Sequence, residues 1–264
     1  MAPLTRPPYR TRLRSATRRL LGGDEAASTA SISGVPLFDQ PFYNAITEAR
    51  LAHLRTLDLP LQGRSVVDVG CGIGRLSDFF VERGCEVLCL DGREENIHML
   101  RREYPGRRAA VADVETDAVL EHGEFDVLFC YGLVYHLAEP FAFIRRAATI
   151  CRELMIIETC VCDAKDQVAF LVRDPLDPTM ALAEIGSRPS PSYVATALRA
   201  NGFEHVYSPQ QPPDHPDFTY RRLQDLSYFR DGHALRDIFI ASRRPLSSEA
   251  LRELDATPPP PESG

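Results

Sequence analysis

Apolar residues recur along the chain in two rhythms that take turns. Between Phe42 and Leu57 they fall at Ile46, Ala49, Leu51, Leu54 and Leu57, roughly helical spacing, which predicts an amphipathic helix. Ser65–Val69 is then a short β-branched run, of strand length rather than helix length, that ends in glycines. Leu76–Glu82 reads as a helix that Gly84 ends. The alternation continues with strands at Glu86–Leu90, Ala109–Ala112, Phe125–Cys130 and Glu153–Glu158, and with helices at Glu94–Tyr104 and Glu139–Ile150. Ser190-Pro191-Ser192 marks a helix start with proline near the first turn, and Asn201-Gly202 marks its end. Phe203–Ser208 and Arg236–Ser242 are the last two strands.

Strands that alternate with helices imply an α/β fold, a doubly wound parallel sheet with helices on both faces. Ligands of such sheets bind beyond the carboxyl ends of the strands. Two long irregular stretches, Val161–Arg188 and Pro209–Leu235, interrupt the alternation, and loops of that length are usually functional or mobile. The ends differ in composition from the middle. Residues 1–34 read as a basic arm and a Gly/Ser/Ala linker, 35–245 as the folded domain, and 246–264 as a Pro-rich tail.

The most informative segment is Val66-Val67-Asp68-Val69-Gly70-Cys71-Gly72-Ile73-Gly74-Arg75-Leu76, a strand that runs through three glycines into a helix. Glycines let a turn take positive φ and let a ligand approach the backbone closely. A dinucleotide fingerprint would place its third glycine three residues after the second, where this chain has Arg75. A phosphate-binding Walker loop would continue into Lys-Ser/Thr, and the chain has a single lysine, Lys165.

This Asp-x-Gly-x-Gly-x-Gly loop resembles the first motif of the class I (Rossmann-like) S-adenosylmethionine-dependent methyltransferase family. Asp91 follows about twenty residues on, at the end of the second strand, where an acid can accept both ribose hydroxyls. Asp113 follows the third strand, where the family holds the adenine amino group. The resemblance implies S-adenosyl-L-methionine as cofactor and a mostly parallel seven-stranded sheet with an antiparallel last strand. It implies that Gly70, Cys71, Gly72 and Gly74 approach the cofactor by backbone. Asp68 would hold the loop or the cofactor's ammonium group, and Asp91, Asp113, Val114 and Tyr131 would complete the cofactor contacts. For each acid alone the plainer reading is a turn residue or helix cap.

Phe125 to Leu137 resembles the fourth-strand motif of small-molecule methyltransferases, in which a Leu-x-x-His turn precedes a helix. The Asn/Asp-Pro-Pro-Tyr tetrapeptide common in DNA and RNA amino-methyltransferases is absent. Methyl transfer is an in-line displacement that needs alignment above all, and a hydroxyl acceptor gains from a base. His136 is the best-placed base, or else a hydrogen-bonded histidine that caps the turn, and Glu158, at the end of the fifth strand, is the second candidate for a base or for orienting the acceptor. Tyr131 and Tyr135 either line the pocket or pack in the core. The acceptor pocket is expected under three segments outside the core alternation: 42–57, 161–188 and 209–235. The last contains Tyr220, Arg221, Arg222, Tyr228 and Arg230, a mix suited to polar, ring-bearing or anionic acceptors, or to a surface hairpin laced with salt bridges.

Charge narrows the partner. The net charge is -7, yet residues 1–20 hold six arginines and no acid, so the rest is acidic and a broad nucleic-acid-binding face is disfavoured. No run reaches the length of a membrane span. Seven scattered cysteines, several inside apolar runs, suggest reduced buried thiols in a cytoplasmic protein, and Cys160-Val-Cys162 has no neighbouring pair at zinc spacing. The leading expectation is an enzyme that methylates O, N or C of a small molecule, such as a sugar or a secondary metabolite. The second is an RNA-modifying methyl- or carboxymethyltransferase whose basic arm holds phosphates. Gly132-Leu133-Val134-Tyr135-His136, Glu158-Thr159 and Ser190-Pro191-Ser192 resemble in part the tRNA wobble-uridine carboxymethyltransferases, but those enzymes need basic surfaces. The third is a cofactor-binding protein without catalysis.

Overall fold

The computed structural model describes residues 38, 40–173, 182 and 184–255; the basic arm expected at 1–34 and everything from 256 onward lie outside them. Helix α1 (Pro41–Leu54) carries proline in its first turn, where the missing N–H is no loss. Strand β1 (Ser65–Val69), the short helix α2 (Asp78–Val81), β2 (Glu86–Asp91), α3 (Glu94–Glu103) and β3 (Arg108–Val111) follow. Then come β4 (Phe125–Tyr131), α4 (Pro140–Ile150) and β5 (Cys151–Cys160). The stretch after β5 is not wholly irregular, since β6 (Ala169–Arg173) and β7 (Ile185–Pro189) pair as an antiparallel hairpin. Helix α5 (Pro191–Ala200) starts at Ser190, whose hydroxyl accepts from the Tyr193 N–H. The chain ends with β8 (His205–Pro209), the two-residue pair β9 (Phe229–Arg230) and β10 (His233–Ala234), β11 (Arg236–Ser242) and β12 (Leu251–Glu253).

The main sheet has eight strands in the order β12-β8-β11-β5-β4-β1-β2-β3. Strands β1 to β5 pair in parallel, and β11 is antiparallel to both β5 and β8. The expected seven strands are all present, and β12 is an eighth. That strand corrects the expected domain end at residue 245: Leu251 pairs with Pro209 and is buried, and Arg199 donates to the Leu254 carbonyl. Three residues, two of them charged, give no periodic signal, but they cover the open edge of β8.

Each face of the sheet carries an apolar layer. On one side α4 and α5 bury Phe143, Ile144, Val194 and Leu198 against Leu128, Met155 and Phe239. On the other, α1, α2 and α3 bury Ile46, Leu54, Phe79, Phe80 and Leu100 against Val66, Cys89 and Phe129. From β1 the chain winds outward through β2 to β3, then returns to β4 on the opposite side of β1. The order of the strands therefore reverses between β1 and β4, and a ligand crevice is expected at their carboxyl ends. Strand β11 runs the other way, so its first residue, Arg236, stands at the same edge, level with Cys160 of β5.

Candidate functional site

The crevice has two halves. In the first, the turn after β1 has positive φ at Gly70, Gly72 and Gly74. A Cβ at Gly70 would lie 2.9 Å from Leu133, and one at Gly74 would lie 2.7 Å from Leu100. Those two glycines therefore let the loop close against its neighbours, whereas at Gly72 the nearest atoms are those of the Phe38 ring, 3.2 Å from a Cβ placed there. The loop's N–H groups are tied to β2: Gly70 and Cys71 donate to the Leu90 carbonyl, and Gly72 donates to Asp91 Oδ2 at 2.9 Å. Asp91 Oδ1 accepts from the Arg93 N–H and from Asn96 Nδ2. This carboxylate therefore also fixes the start of α3. Burial pushes it up, and those hydrogen bonds pull it back only in part.

Asp68 is buried and bonded to the Ser77 hydroxyl at 2.5 Å, which joins β1 to the start of α2. Burial with only that bond and a distant Arg107 to help raises its carboxyl to about 7. Of the two roles expected for Asp68, the geometry matches holding the loop. Asp113 Oδ1 accepts from the Glu115 N–H, a local turn beyond β3. Val114 packs in the core and its carbonyl is taken by Arg146, so its side chain faces the core.

The second half lies where β4, β5 and β11 end. Tyr131 and Glu158 are level on β4 and β5, and Ile238 of β11 is level with Glu158. Glu158 is completely buried and held by two guanidinium groups, Arg50 of α1 at 2.5 Å and Arg236 of β11 at 3.0 Å. Burial alone would raise this carboxyl, but Arg50 and Arg236 outweigh it and keep it below the usual carboxylate range. That corrects the expectation of Glu158 as a base, because an acid stabilised in its ionised form accepts a proton poorly. Arg236 goes on to Asp217 at 3.0 Å, and Asp217 meets His233 Nδ1, also at 3.0 Å. Gly132, at φ +82°, passes beside this cluster, since a Cβ there would lie 3.4 Å from Arg50.

Tyr131 stacks on Phe129, and its hydroxyl is buried without a hydrogen-bond partner. His136 closes a 3-10 turn at Val134–His136, is buried, and lies ring to ring with Tyr135 at 4.0 Å. The three segments expected around the acceptor each reach this edge. Helix α1 brings Arg50, β7 brings Arg188 to the Tyr135 carbonyl, and 209–235 brings Asp217 and Tyr228. Of the two readings of the 209–235 arginines, salt bridges fit Arg222 and Arg230: Arg222 pairs with Asp163 and Asp237, and Arg230 with Asp163 and Asp225. These pairs fasten the insertion to the segment after β5.

Arg50, Arg188, Arg236, Asp217 and His233 were not singled out from sequence. Arg50 did carry a signal, since it lies between Ile46 and Leu54 at i+4 steps, an arginine on the apolar face of a helix. All seven cysteines are free thiols, six of them buried. Among the described residues no helix is long and apolar enough to cross a membrane, and no His/Cys/Asp/Glu cluster could hold a metal ion.

A family model described as a methyltransferase domain matches residues 67–154, the stretch from β1 to β5. The ubiquinone biosynthesis O-methyltransferase of Albidiferax ferrireducens is 32% identical over 98 residues, which cover 35% of this chain and 39% of that one. Its counterpart in Cereibacter sphaeroides is 35% identical over 100 residues, 37% of this chain and 39% of the relative. The matches thus span about two fifths of these relatives' length. Solved structures share the fold over more of the chain. The N-terminal domain of EvdMO1 with S-adenosylhomocysteine bound has a TM-score of 0.59 at 18% identity, covering 90% of this chain and all of that one. Magnesium protoporphyrin IX methyltransferase from Synechocystis PCC 6803, with S-adenosylmethionine bound, has a TM-score of 0.52 at 17% identity and covers 92% of this chain. The Burkholderia thailandensis 1,6-didemethyltoxoflavin N1-methyltransferase has a TM-score of 0.53 at 19% identity and covers 92% of each chain.

Proposed function

We propose that the chain is a class I, Rossmann-like S-adenosylmethionine-dependent methyltransferase and that it transfers a methyl group from S-adenosyl-L-methionine to a small molecule, with a hydroxyl oxygen as the favoured acceptor atom; the methyltransferase-domain match at 67–154 and the shared fold support this. The observation that carries this reading is the junction of Gly72 and Asp91: a positive-φ glycine at the end of β1, hydrogen-bonded to the acid at the end of β2. The atoms nearest a Cβ at Gly72 all belong to the Phe38 ring, at 3.2 Å and beyond, so the backbone there lies against an aromatic cover that a side chain would crowd. Bound at this loop, the cofactor supplies an electrophilic methyl carbon on a sulfonium.

The chain's own residues supply position and charge. The backbone of Gly70, Cys71 and Gly72 lines the methionine end, Asp91 takes the ribose hydroxyls, and Asp113 takes the adenine amino group. Asp68 and Gly74 keep the loop closed, and Tyr131 borders the methyl. Val114 contributes as packing beneath the adenine rather than as a contact. His136, on the turn after β4, accepts the proton of an acceptor hydroxyl. Glu158 is a positioning residue: its two guanidinium partners hold α1 and β11 against the end of β5. The O-methyltransferase relatives favour oxygen as the acceptor, and the acidic folded body favours a small molecule over a polynucleotide.

Calorimetric titration with S-adenosylhomocysteine tests the reading. The wild-type protein is expected to bind it, and Gly72→Val is expected to bind at least about 100-fold more weakly while still folding, since a β-branched side chain both fills the approach and resists positive φ. A wild-type protein with no affinity for S-adenosylhomocysteine would overturn it.

A further inference from the structure

Most charges at the acceptor edge are spoken for, and one is not. Glu158 and Asp217 are matched to Arg50 and Arg236. Arg188 of β7 has no carboxylate partner among the described residues. Its Nη1 donates to two backbone carbonyls, those of Tyr135 at 3.0 Å and Ser187 at 2.8 Å, and its Nε is buried without a partner. The guanidinium lies 5.3 Å from the centre of the Tyr135 ring and 5.9 Å from that of Tyr228. Arg236 lies 4.8 Å from the same Tyr135 ring. Tyr135 is therefore a ring bordered by two guanidinium groups, next to His136.

Three guanidinium groups against two carboxylates leave this cluster with one excess positive charge. Arg188 itself is half-buried, but its Nε is shut off from water without an acceptor, which is costly, and backbone carbonyls and ring faces offset only part of that cost. Two further groups wait for partners: the Arg50 Nε and the Tyr131 hydroxyl are both buried and unbonded. A planar fork with free N–H donors matches the geometry of a carboxylate, and the flanking rings match a flat apolar body. We propose that the acceptor is a ring-bearing carboxylate whose oxyanion is received by Arg188. This rests on the reading of the β4–β5 edge as the acceptor side, and it adds the acceptor's chemical class.

The excess charge has a second conceivable claimant, the carboxylate of the cofactor's own methionine, and the experiment separates the two. Protein saturated with S-adenosylhomocysteine is titrated with 4-hydroxybenzoate and with its neutral counterpart 4-hydroxybenzamide. The wild type is expected to prefer the carboxylate by at least about tenfold, Arg188→Gln to lose that preference, and Arg188→Lys to keep part of it. The affinity of Arg188→Gln for S-adenosylhomocysteine is expected to equal that of the wild type within about twofold, which also reports that the variant folds. Equal affinity for the two probes, no binding of either, or a preference that survives in Arg188→Gln would overturn the proposal. So would a tenfold loss of S-adenosylhomocysteine affinity in Arg188→Gln, which would give the guanidinium to the cofactor. A protein that takes 4-hydroxybenzoate but not S-adenosylhomocysteine would keep the anion site and sink the cofactor reading instead.

Discussion

The two halves of the crevice are built by opposite means. The half at β1 and β2 is made of consecutive backbone: three positive-φ glycines, with the N–H groups of Gly70, Gly72 and Gly74 on Leu90, Asp91 and Cys71, and carboxylates that sit beside neutral donors. The half at β4, β5 and β11 is made of side chains drawn from four distant segments, and its carboxylates sit between guanidinium groups. Burial raises both acids of this sheet, and only Glu158 has charged partners that reverse it. Asp68 is pushed up to about 7, whereas Glu158 is held below the usual range. A motif of backbone and neutral donors can accept a ligand's charge without a counter-ion of its own. A charged network can only discriminate among acceptors by what it leaves unpaired.

The sharpest way to break that contrast is Glu158→Gln. The substitution keeps the shape and removes the anion, which leaves Arg50 and Arg236 buried with Asp217 as the one carboxylate paired with them among the described residues. Removing one partner of a buried pair costs about 3–5 kcal/mol, so a large loss in denaturant midpoint is expected. The pH dependence has a fixed sign. An acid whose folded value is depressed stabilises fully above its unfolded value and loses that contribution as pH falls through the folded one. Wild type should therefore lose stability on the acid side, below the ordinary carboxylate range, and Glu158→Gln should lose less there. A variant as stable as wild type at neutral pH would mean that the network is a surface feature rather than the clamp on α1 and β11.

Asp68→Asn sharpens the same contrast from the other side, with a smaller effect of opposite direction. Moving a carboxyl from 3.8 to about 7 opposes folding of its ionised form by at most about 4 kcal/mol. Here the folded state holds the proton more tightly, so stability is lost as pH rises from about 4 to about 7. An asparagine accepts the Ser77 hydroxyl without that cost. Urea denaturation at several pH values should show a flatter profile for Asp68→Asn and a stability at pH 8 equal to or above that of wild type. A variant less stable than wild type at pH 8 would show that the ionised carboxylate is itself a stabilising contact.

The halves also differ in how legible they were. The glycine loop, the place of Asp91 at a strand end and the positions of seven strands along the chain could be read because each is a local pattern, in which spacing along the chain is spacing in the fold. The Arg50–Glu158–Arg236–Asp217 chain could not, because its pairs are 108, 78 and 19 residues apart and meet only when a helix, two strands and a loop come together in the fold. Glu158 read as a base because a carboxylate at a strand end looks the same with or without two arginines around it. Strand β12 was missed for a related reason: its register is set by the vacant edge of β8, not by its own three residues. For Arg222 and Arg230 the salt-bridged alternative matches the ion pairs they make, but Asp163 could not be named, since nothing near them in sequence announces it.

The smallest effect concerns Asp91, where ligand and fold compete for one carboxylate. Its oxygens already accept from the Gly72 N–H, the Arg93 N–H and Asn96 Nδ2, so three of about four acceptor sites are used before any ribose arrives. Loss of a charge-assisted hydrogen bond should weaken S-adenosylhomocysteine binding by about 1.5–3 kcal/mol in Asp91→Ala, a factor of about 10–150. The same substitution frees three donors and loosens both the loop and the start of α3, so a drop in affinity alone would not separate contact from scaffold. Asn96→Ala supplies the separation, because it removes one local donor from the carboxylate and leaves the carboxylate in place. If Asp91 meets the ribose, Asn96→Ala should bind S-adenosylhomocysteine within about threefold of wild type, a difference below 1 kcal/mol, while Asp91→Ala loses the full factor. If the two variants lose affinity equally, Asp91 acts by holding Gly72 and α3, and the backbone alone would then carry the cofactor half of the crevice.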